Sequence, residues 1–207
     1  MIHMHELKAV GNSGSINKTK AKNCERNIFC DSPQLPLTDY NDHKYFEIVE
    51  FKGSSNVNFA LCIGLNPKWG REKQFDRSNQ KIAGYLFNNY KGFILFNMFS
   101  IVTPDMGALK QYICTKPDDL QNDMRDVVSF VVRATACDIY LFYGENAYCY
   151  VANTSLSDAL KQSYHQKRNI YVSESNGHFV HVGSQKCGSR MHAWFVQYDK
   201  QSHKNVF

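Results

Sequence analysis

The chain has 207 residues, of which 43% are hydrophobic and 14% aromatic, and its formal net charge is +5. This length and apolar content fit one folded domain with an extension, and the mild basic charge permits a nucleic-acid partner without requiring one. No apolar stretch approaches the ~20 residues that span a bilayer, and residues 1–11 lack the apolar segment of a signal peptide. We therefore expect a cytoplasmic protein with reduced thiols and no membrane association.

The seven cysteines are odd in number, and no two of them have the C-x-x-C spacing of a zinc or redox site. Cys24 and Cys30, with scattered histidines, form the one alternative, but no second close pair completes a metal site. We therefore expect no metal and no cofactor. Residues 1–40 are polar and predict an N-terminal extension, whereas residues 41–207 predict a single domain.

Short runs of apolar residues bounded by turn residues predict the strands. They lie at Tyr45–Phe51, Asn58–Ile63, Gly92–Phe96, Asp138–Tyr143, Asn169–Val172 and Phe179–Val182. The first run alternates and predicts an edge strand, whereas continuous runs are typical of strands buried on both faces of a parallel sheet. Helical spacing covers Arg77–Tyr90, Leu120–Thr135 and, with a break near Asn153, Ala147–His165. We expect an α/β/α sandwich around a mainly parallel sheet of four to five strands, with the site at the carboxyl ends of the strands.

The first candidate site follows the strand that ends at Ile63. In Gly64-Leu65-Asn66-Pro67 the glycine permits a sharp turn and the proline stiffens the exit, so that Asn66 is presented at the strand end. An asparagine amide can hold a water molecule through one acceptor and two donors. An ordinary βα turn uses the same residue types, so this segment alone does not indicate a site.

The second candidate is Asn97, which ends the run Phe93 to Phe96. An asparagine amide can form paired hydrogen bonds to the edge of a base, and Phe99 or Phe75 could stack on the face of that base. A turn cap and two core phenylalanines would account for the same residues equally well.

The third candidate is the segment 181–192, which contains two glycines, two serines, two histidines, a lysine and an arginine. Backbone N–H groups, hydroxyls and cations within one loop are typical of phosphate binding. A histidine beside them could stabilise negative charge on a leaving base. A solvated hairpin is the alternative interpretation.

The order of these motifs resembles that of the uracil-DNA glycosylase superfamily. Gly64-Leu65-Asn66-Pro67 is similar to the G-I-N-P-G motif of its mismatch-specific branch. Phe93 to Asn97 is similar to the strand that ends in the base-reading asparagine, and Asp138 to Ala147 to the third strand with its glycine. The segment from Gly183 to His192 falls where the family has its DNA-intercalating loop and second catalytic motif.

A bacterial and phage group with this fold, whose first strand ends in L-N-P-S-T-A-D, is more similar still. Asp76 to Lys81 matches its D-P-T-x-R-R segment, and Asn97 to Asp105 its N-L-F-x-x-x-x-x-D segment. Gly183 to His192 matches its final G-x-x-K-x-G-x-x-R-H-P-L. The chain differs at Lys68-Trp69-Gly70, where the group has S-T-A, and at Ala193, where it has proline.

The resemblance implies a monofunctional DNA glycosylase that flips a modified pyrimidine out of DNA and leaves an abasic site. Similarity to antiphage glycosylases implies glucosylated 5-hydroxymethylcytosine in double-stranded phage DNA as the substrate, antiviral defence as the role, and no obligate protein partner. The resemblance implies water positioning by Asn66, with Asp76 as the alternative, and stabilisation of the leaving base by His192. It assigns base recognition to Asn97, stacking to Phe75, Phe99 and Tyr143, and phosphate binding to Lys68, Ser184, Lys186, Ser189 and Arg190.

Two other functions fit the same fold. One is a protein that binds modified DNA without cleaving it. The other is a nucleoside hydrolase or deoxyribosyltransferase that acts on free nucleotides, since a fold alone does not specify a reaction.

Overall fold

A computed structural model describes residues 8–14, 24–30, 43–67, 77–103, 106–115, 123–175, 178–181, 185–186, 189–190, 194–203 and 206–207. Its strands are β1 (Lys8–Gly14), β2 (Cys24–Cys30), β3 (Lys44–Phe51), β4 (Phe59–Gly64), β5 (Gly92–Asn97), β6 (Ile139–Leu141), β7 (Ile170–Ser175), β8 (His178–Phe179), β9 (Gln185–Lys186), β10 (Ser189–Arg190) and β11 (Trp194–Gln197). Its helices are α1 (Arg77–Leu86), α2 (Met106–Thr115), α3 (Arg125–Ala134), α4 (Tyr148–Val151) and α5 (Ser155–His165).

The central sheet is mixed, and within the described residues it has nine strands in the order β1-β2-β3-β5-β4-β6-β7-β11, with β8 paired to β7. Strands β5, β4, β6 and β7 are parallel to one another, whereas β2, β3, β8 and β11 each run antiparallel to their neighbours. The prediction of an α/β domain around a central sheet is confirmed. The predicted four to five strands are too few, because antiparallel strands extend the parallel centre on both sides.

Two strand predictions are wrong in position. Strand β3 is internal rather than an edge strand, because β2 pairs with its other side. The run Phe179–Val182 does not add a parallel strand. Its described part is the short strand β8, which folds back antiparallel on β7.

The order of the parallel strands reverses the direction of winding at one point of the sheet. The chain passes from β4 to β5 on one side, and then returns across β4 to β6 on the other side. In doubly wound sheets, the point where the direction of winding reverses is where ligands bind. Here that point lies between β4 and β6, directly beyond Gly64.

Alternating residues of the strands face two separate cores. We call the side covered by α1 the α1 face; it contains Ala60, Cys62, Phe93, Leu95 and Tyr140 against Ile82, Ala83 and Leu86 of the helix. We call the other side the α3–α5 face; it contains Leu61, Ile63, Ile139, Leu141 and Val172 against Val128, Val132, Leu156 and Leu160. Helices therefore cover both faces of the sheet, which leaves the strand ends as the place for polar chemistry.

Part of the predicted N-terminal extension belongs to the sheet, because residues 8–14 and 24–30 form β1 and β2. Cys24, Arg26 and Ile28 of β2 are all buried. The alternation is therefore that of a half-buried strand, but an arginine occupies its central inward position.

The predicted helices are present, but α1 ends at Leu86 rather than Tyr90 and α3 begins at Arg125 rather than Leu120. The break near Asn153 is confirmed: this residue has a φ of 60°, and α5 begins two residues later with Thr154 capping the backbone N–H of Ser157. Helix α2 was not predicted. None of the described helices is both long and apolar enough to cross a membrane.

Candidate functional site

Three residues form a row across neighbouring strand ends on the α1 face: Asn97, Gly64 and Phe142. Gly64 pairs in register with Asn97, and the backbone N–H of Phe142 donates to the carbonyl of Ile63 at 3.0 Å. A Cβ atom on Gly64 would lie 2.6 Å from Asn97 Oδ1 and 2.7 Å from Phe142 Cζ. A side chain at this position would displace one or both of these groups, so glycine lets an amide and an aromatic ring approach each other across β4. We call these three residues the Gly64 row.

Asn97 presents its side-chain amide to this row. Asn97 is only 4% exposed to solvent, and none of the described residues forms a hydrogen bond with its side-chain amide. An amide whose donor and acceptor are not taken up by described protein groups can offer both to a ligand. The role of Asn97 in reading a base stays a prediction.

Asn66 is held in one orientation by Thr103. Its Nδ2 donates to Thr103 Oγ1 at 2.6 Å, and to the backbone carbonyls of Thr103 and Pro67 at 3.3 Å each. Carbonyl oxygens only accept hydrogen bonds, so the nitrogen must be on this side of the amide. The acceptor oxygen Oδ1 therefore faces away from Thr103.

The chain segments that leave β4 and β5 remain paired beyond the sheet. Met98 donates its backbone N–H to the carbonyl of Gly64 at 3.0 Å, and Phe99 to that of Leu65 at 2.9 Å. Thr103 donates to the carbonyl of Pro67 at 3.3 Å. These bonds keep Asn66 and Asn97 at adjacent points of the same edge.

His181 reaches the same edge from the other side. Its ring lies edge-on to that of Phe142, with centroids 5.9 Å apart. Gly144 makes this approach possible: its φ is +83°, and a Cβ there would lie 2.7 Å from the backbone nitrogen of His181. The start of the predicted C-terminal segment is thus adjacent to the Gly64 row.

Phe99 and Tyr143, both predicted to stack on a base, are buried in the core of the α3–α5 face. Phe99 packs edge-on against Tyr150 at 5.5 Å. The Tyr143 hydroxyl donates to the carbonyl of Val206 at 2.8 Å, and burial raises the pKa of this hydroxyl. Phe142, one residue earlier, is the ring in the row, because successive side chains at a strand end point to opposite faces.

Several predicted site residues lie outside the described part of the chain, namely Lys68, Phe75, Asp76, Ser184 and His192. Lys186, Ser189 and Arg190 are described for their backbone only, in the short hairpin of β9 and β10, where Ser189 pairs with Lys186. The roles assigned to these residues therefore stay predictions.

A buried ionic cluster that the sequence did not predict lies on β2, β3 and α1. Glu47 is fully buried, and its carboxylate accepts hydrogen bonds from Arg26, Lys44 and Asn79, the last at 3.1 Å. We call these four residues the Glu47 cluster. It lies on the α1 face near the carboxyl end of β5, because Glu47 pairs with Leu95.

The Glu47 carboxylate is ionised. Burial by itself would raise the pKa of Glu47, but the charges and hydrogen bonds of Lys44 and Arg26 outweigh it and lower the pKa from 4.5 to about 2. With three donors around it, this carboxylate is a structural anchor between strands and helix rather than a free base.

Metal-ligating residues are dispersed in the part of the chain that the structure describes. No three His, Cys, Asp or Glu side chains there come close enough to hold a metal ion. Five cysteines are free thiols, namely Cys24, Cys62, Cys114, Cys137 and Cys149, and burial raises the pKa of Cys24 to about 11.

Comparison with known proteins gives one match. The family model DUF1643, described as a protein of unknown function, matches residues 49–182, which is more than half of the 207 residues. This range contains the whole Gly64 row, Asn66 and Thr103. Searches of curated proteins and of solved structures each found no match. The chain therefore belongs to the DUF1643 family.

Proposed function

We propose that this protein is a monofunctional DNA glycosylase. It hydrolyses the N-glycosidic bond of a modified pyrimidine in DNA and leaves an abasic site. The resemblance noted above favours glucosylated 5-hydroxymethylcytosine in phage DNA as the base and antiviral defence as the role. The observation that carries the proposal is the pair of asparagine amides at adjacent strand ends: Asn97 pairs in register with Gly64 on the neighbouring strand, and Asn66 follows Gly64 on its own strand.

Base recognition is assigned to the Gly64 row. An enzyme that acts on C1′ of a nucleotide in a duplex must first flip the base out of the stack. The Asn97 amide, which no described residue occupies, offers one donor and one acceptor group to the edge of the base. Phe142 places an aromatic ring beside this amide, where a flipped base needs an apolar contact surface.

Hydrolysis itself is assigned to a water held by Asn66. As the C1′–N bond breaks, its electron pair goes to the base and positive charge develops on the sugar. The Asn66 oxygen accepts a hydrogen bond from the water and so orients the water's lone pair toward C1′. The water oxygen bonds to C1′, and its proton is released to solvent or to a carboxylate such as Asp76, while the departing base gains a proton. Because an amide is a very weak base, the acceleration must come mainly from positioning and electrostatics.

The charge distribution supports a DNA partner. The chain carries a net charge of +5, and the first turn of α1 contains no acidic residue. This helix begins at the carboxyl edge of the sheet because it follows β4, and the N-terminal end of a helix favours nearby phosphate. Lys68, Lys186 and Arg190 remain the predicted phosphate ligands, and His192 the predicted stabiliser of the leaving base.

The test is a cleavage assay with purified protein on three DNAs: phage DNA with glucosylated 5-hydroxymethylcytosine, unmodified DNA and uracil-containing DNA. We expect breaks after alkali treatment in the glucosylated DNA. Asn66→Ala should lower the rate by two orders of magnitude or more while DNA binding persists. Asn58→Ala, just before the start of β4 and so at the other end of that strand from Asn66, is the matched control and should cleave normally.

Three results would point elsewhere. Binding of modified DNA without any released base would indicate a non-catalytic binder. Cleavage of free nucleosides but not of DNA would indicate a nucleoside hydrolase. If cleavage is unchanged in Asn66→Ala, the role of positioning the attacking water would be assigned to Asp76 instead.

A further inference from the structure

We infer that Thr103 is a positioning residue for the reaction: it fixes the Asn66 amide so that the oxygen, and not the nitrogen, faces the attacking water. This inference rests on the proposed function for its catalytic consequence. The orientation of the amide itself is independent of that function and can be measured separately.

The orientation matters because the two ends of an amide have opposite chemistry. The oxygen accepts a hydrogen bond from water and so leaves the water's lone pair facing outward, whereas the nitrogen would donate a hydrogen bond to that lone pair and occupy it. In water, an asparagine side chain adopts both orientations. Only one of them supports nucleophilic attack at C1′.

Thr103 selects that orientation through two acceptors. Its Oγ1 is 2.6 Å from Asn66 Nδ2, and its backbone carbonyl is 3.3 Å away. If the amide were reversed, Oδ1 would face this carbonyl and that of Pro67, and neither can donate a hydrogen bond. The reversed amide would therefore place oxygen against oxygen.

Thr103 can serve as this reference point because it is itself held in place. It is 1% exposed, and its backbone N–H donates to the carbonyl of Pro67, the residue after Asn66. The two segments therefore bind each other in both directions. The contact between Asn66 Nδ2 and the Thr103 hydroxyl is the shortest of the three, and it is the contact that a substitution of the Thr103 side chain removes.

The experiment compares Thr103→Val, which removes the hydroxyl at nearly constant shape, with Thr103→Ser, which keeps it. We expect Thr103→Val to lower the single-turnover cleavage rate about 10-fold, with the Kd for DNA unchanged, because one hydrogen bond of ordinary strength is lost. Thr103→Ser should stay within about threefold of wild type. Thr135→Val, which removes a hydroxyl bonded to the carbonyl of Val131 in α3, is the control and should have no effect on cleavage.

A double-mutant cycle separates positioning from general stability. If Thr103 acts through Asn66, then Thr103→Val should cause no further loss in the Asn66→Ala background. An equal 10-fold loss in both backgrounds would overturn the inference. So would a Thr103→Ser protein that is as slow as Thr103→Val while both melt like wild type.

The second measurement does not depend on activity. Side-chain NH₂ signals of Asn66, assigned in ¹⁵N NMR spectra by their absence in Asn66→Ala, should show slowed hydrogen exchange in wild type and Thr103→Ser, and lose that protection in Thr103→Val. Equal exchange in all three proteins would overturn the orientation claim. If wild type cleaves no DNA but the NMR result holds, the proposed function fails and the positioning of Asn66 by Thr103 stands.

Discussion

The Glu47 cluster and the Gly64 row lie on the same face and near the same edge of the sheet, yet they treat polar atoms in opposite ways. The Glu47 carboxylate receives hydrogen bonds from three side chains on two strands and a helix. The Asn97 amide receives none from the described residues, and the acceptor oxygen of Asn66 faces away from the groups that hold its nitrogen.

The difference separates stability from function. A buried polar group whose partners are complete stabilises the fold as long as those partners remain. A polar group held in place with an acceptor or donor unused is ready for a ligand. Charge alone would have drawn attention to the Glu47 cluster, whereas the completeness of hydrogen bonding directs it to the two asparagines.

The largest effect on stability is expected at Glu47. Glu47→Gln removes the negative charge that both Arg26 and Lys44 contact in the buried cluster, which should lower the free energy of unfolding by about 3–5 kcal/mol. Glu50→Gln is the control on the same strand, because Glu50 forms an exposed pair with Lys91, and it should cost at most about 1 kcal/mol. Urea unfolding of both variants checks this, and equal losses would contradict the role given to the cluster.

The pH dependence should follow from the same carboxylate. Its pKa is lowered in the folded protein from 4.5 to about 2, so the folded state binds this proton less readily than the unfolded chain. The contribution of Glu47 is therefore complete above pH 4.5 and is lost as the pH falls toward 2, by about 3 kcal/mol in total. Unfolding curves between pH 6 and 2 should show a correspondingly smaller loss in Glu47→Gln than in Glu50→Gln.

A smaller effect on stability, joined to a large one on function, is expected at Gly64. In Gly64→Ala the methyl group would displace the Asn97 amide and the Phe142 ring, at a cost of about 1–3 kcal/mol. Cleavage should fall far more than this loss of stability accounts for, since both displaced groups are assigned to the base. A variant that melts lower but cleaves as fast as wild type would remove the row from the site.

The smallest effect tests which aromatic ring belongs to the site. Tyr143→Phe loses the hydrogen bond to the carbonyl of Val206 and should lower the free energy of unfolding by about 1 kcal/mol, with cleavage unchanged. Phe142→Leu should instead weaken the binding of the modified base. The reverse result, with Tyr143→Phe impaired in cleavage, would restore the sequence-based choice of Tyr143.

The strands of the parallel centre were predictable because their apolar runs are continuous and end in glycine, asparagine or serine. The choice of Tyr143 over Phe142 shows the limit of such runs: both residues are aromatic, and only the register with β4 decides which one points to the α1 face. In β2, a charged residue, Arg26, occupies a buried position and so interrupts the apolar–polar alternation that would predict a strand. Its partner Glu47 is 21 residues away, so the local sequence does not show that the charge is paired.

The candidate site was only partly predictable. Asn66 and Asn97 follow strand ends and could be named from local sequence, but nothing near Thr103 indicates that it bonds to a residue 37 positions earlier. Helix α2 did carry a local signal in Leu109, Tyr112 and Ile113, which recur at helical spacing. The remaining parts of the candidate site depend on contacts between residues that are distant in the sequence, and these contacts follow from the order of the strands.

The most direct test of the central claim is mass spectrometry of the base released from glucosylated phage DNA by wild type, Asn66→Ala and Asn58→Ala. The account predicts a released glucosylated 5-hydroxymethylcytosine base with wild type and with Asn58→Ala, and a loss of at least 100-fold with Asn66→Ala while DNA binding remains. No released base with wild type, or equal release by all three proteins, would contradict it.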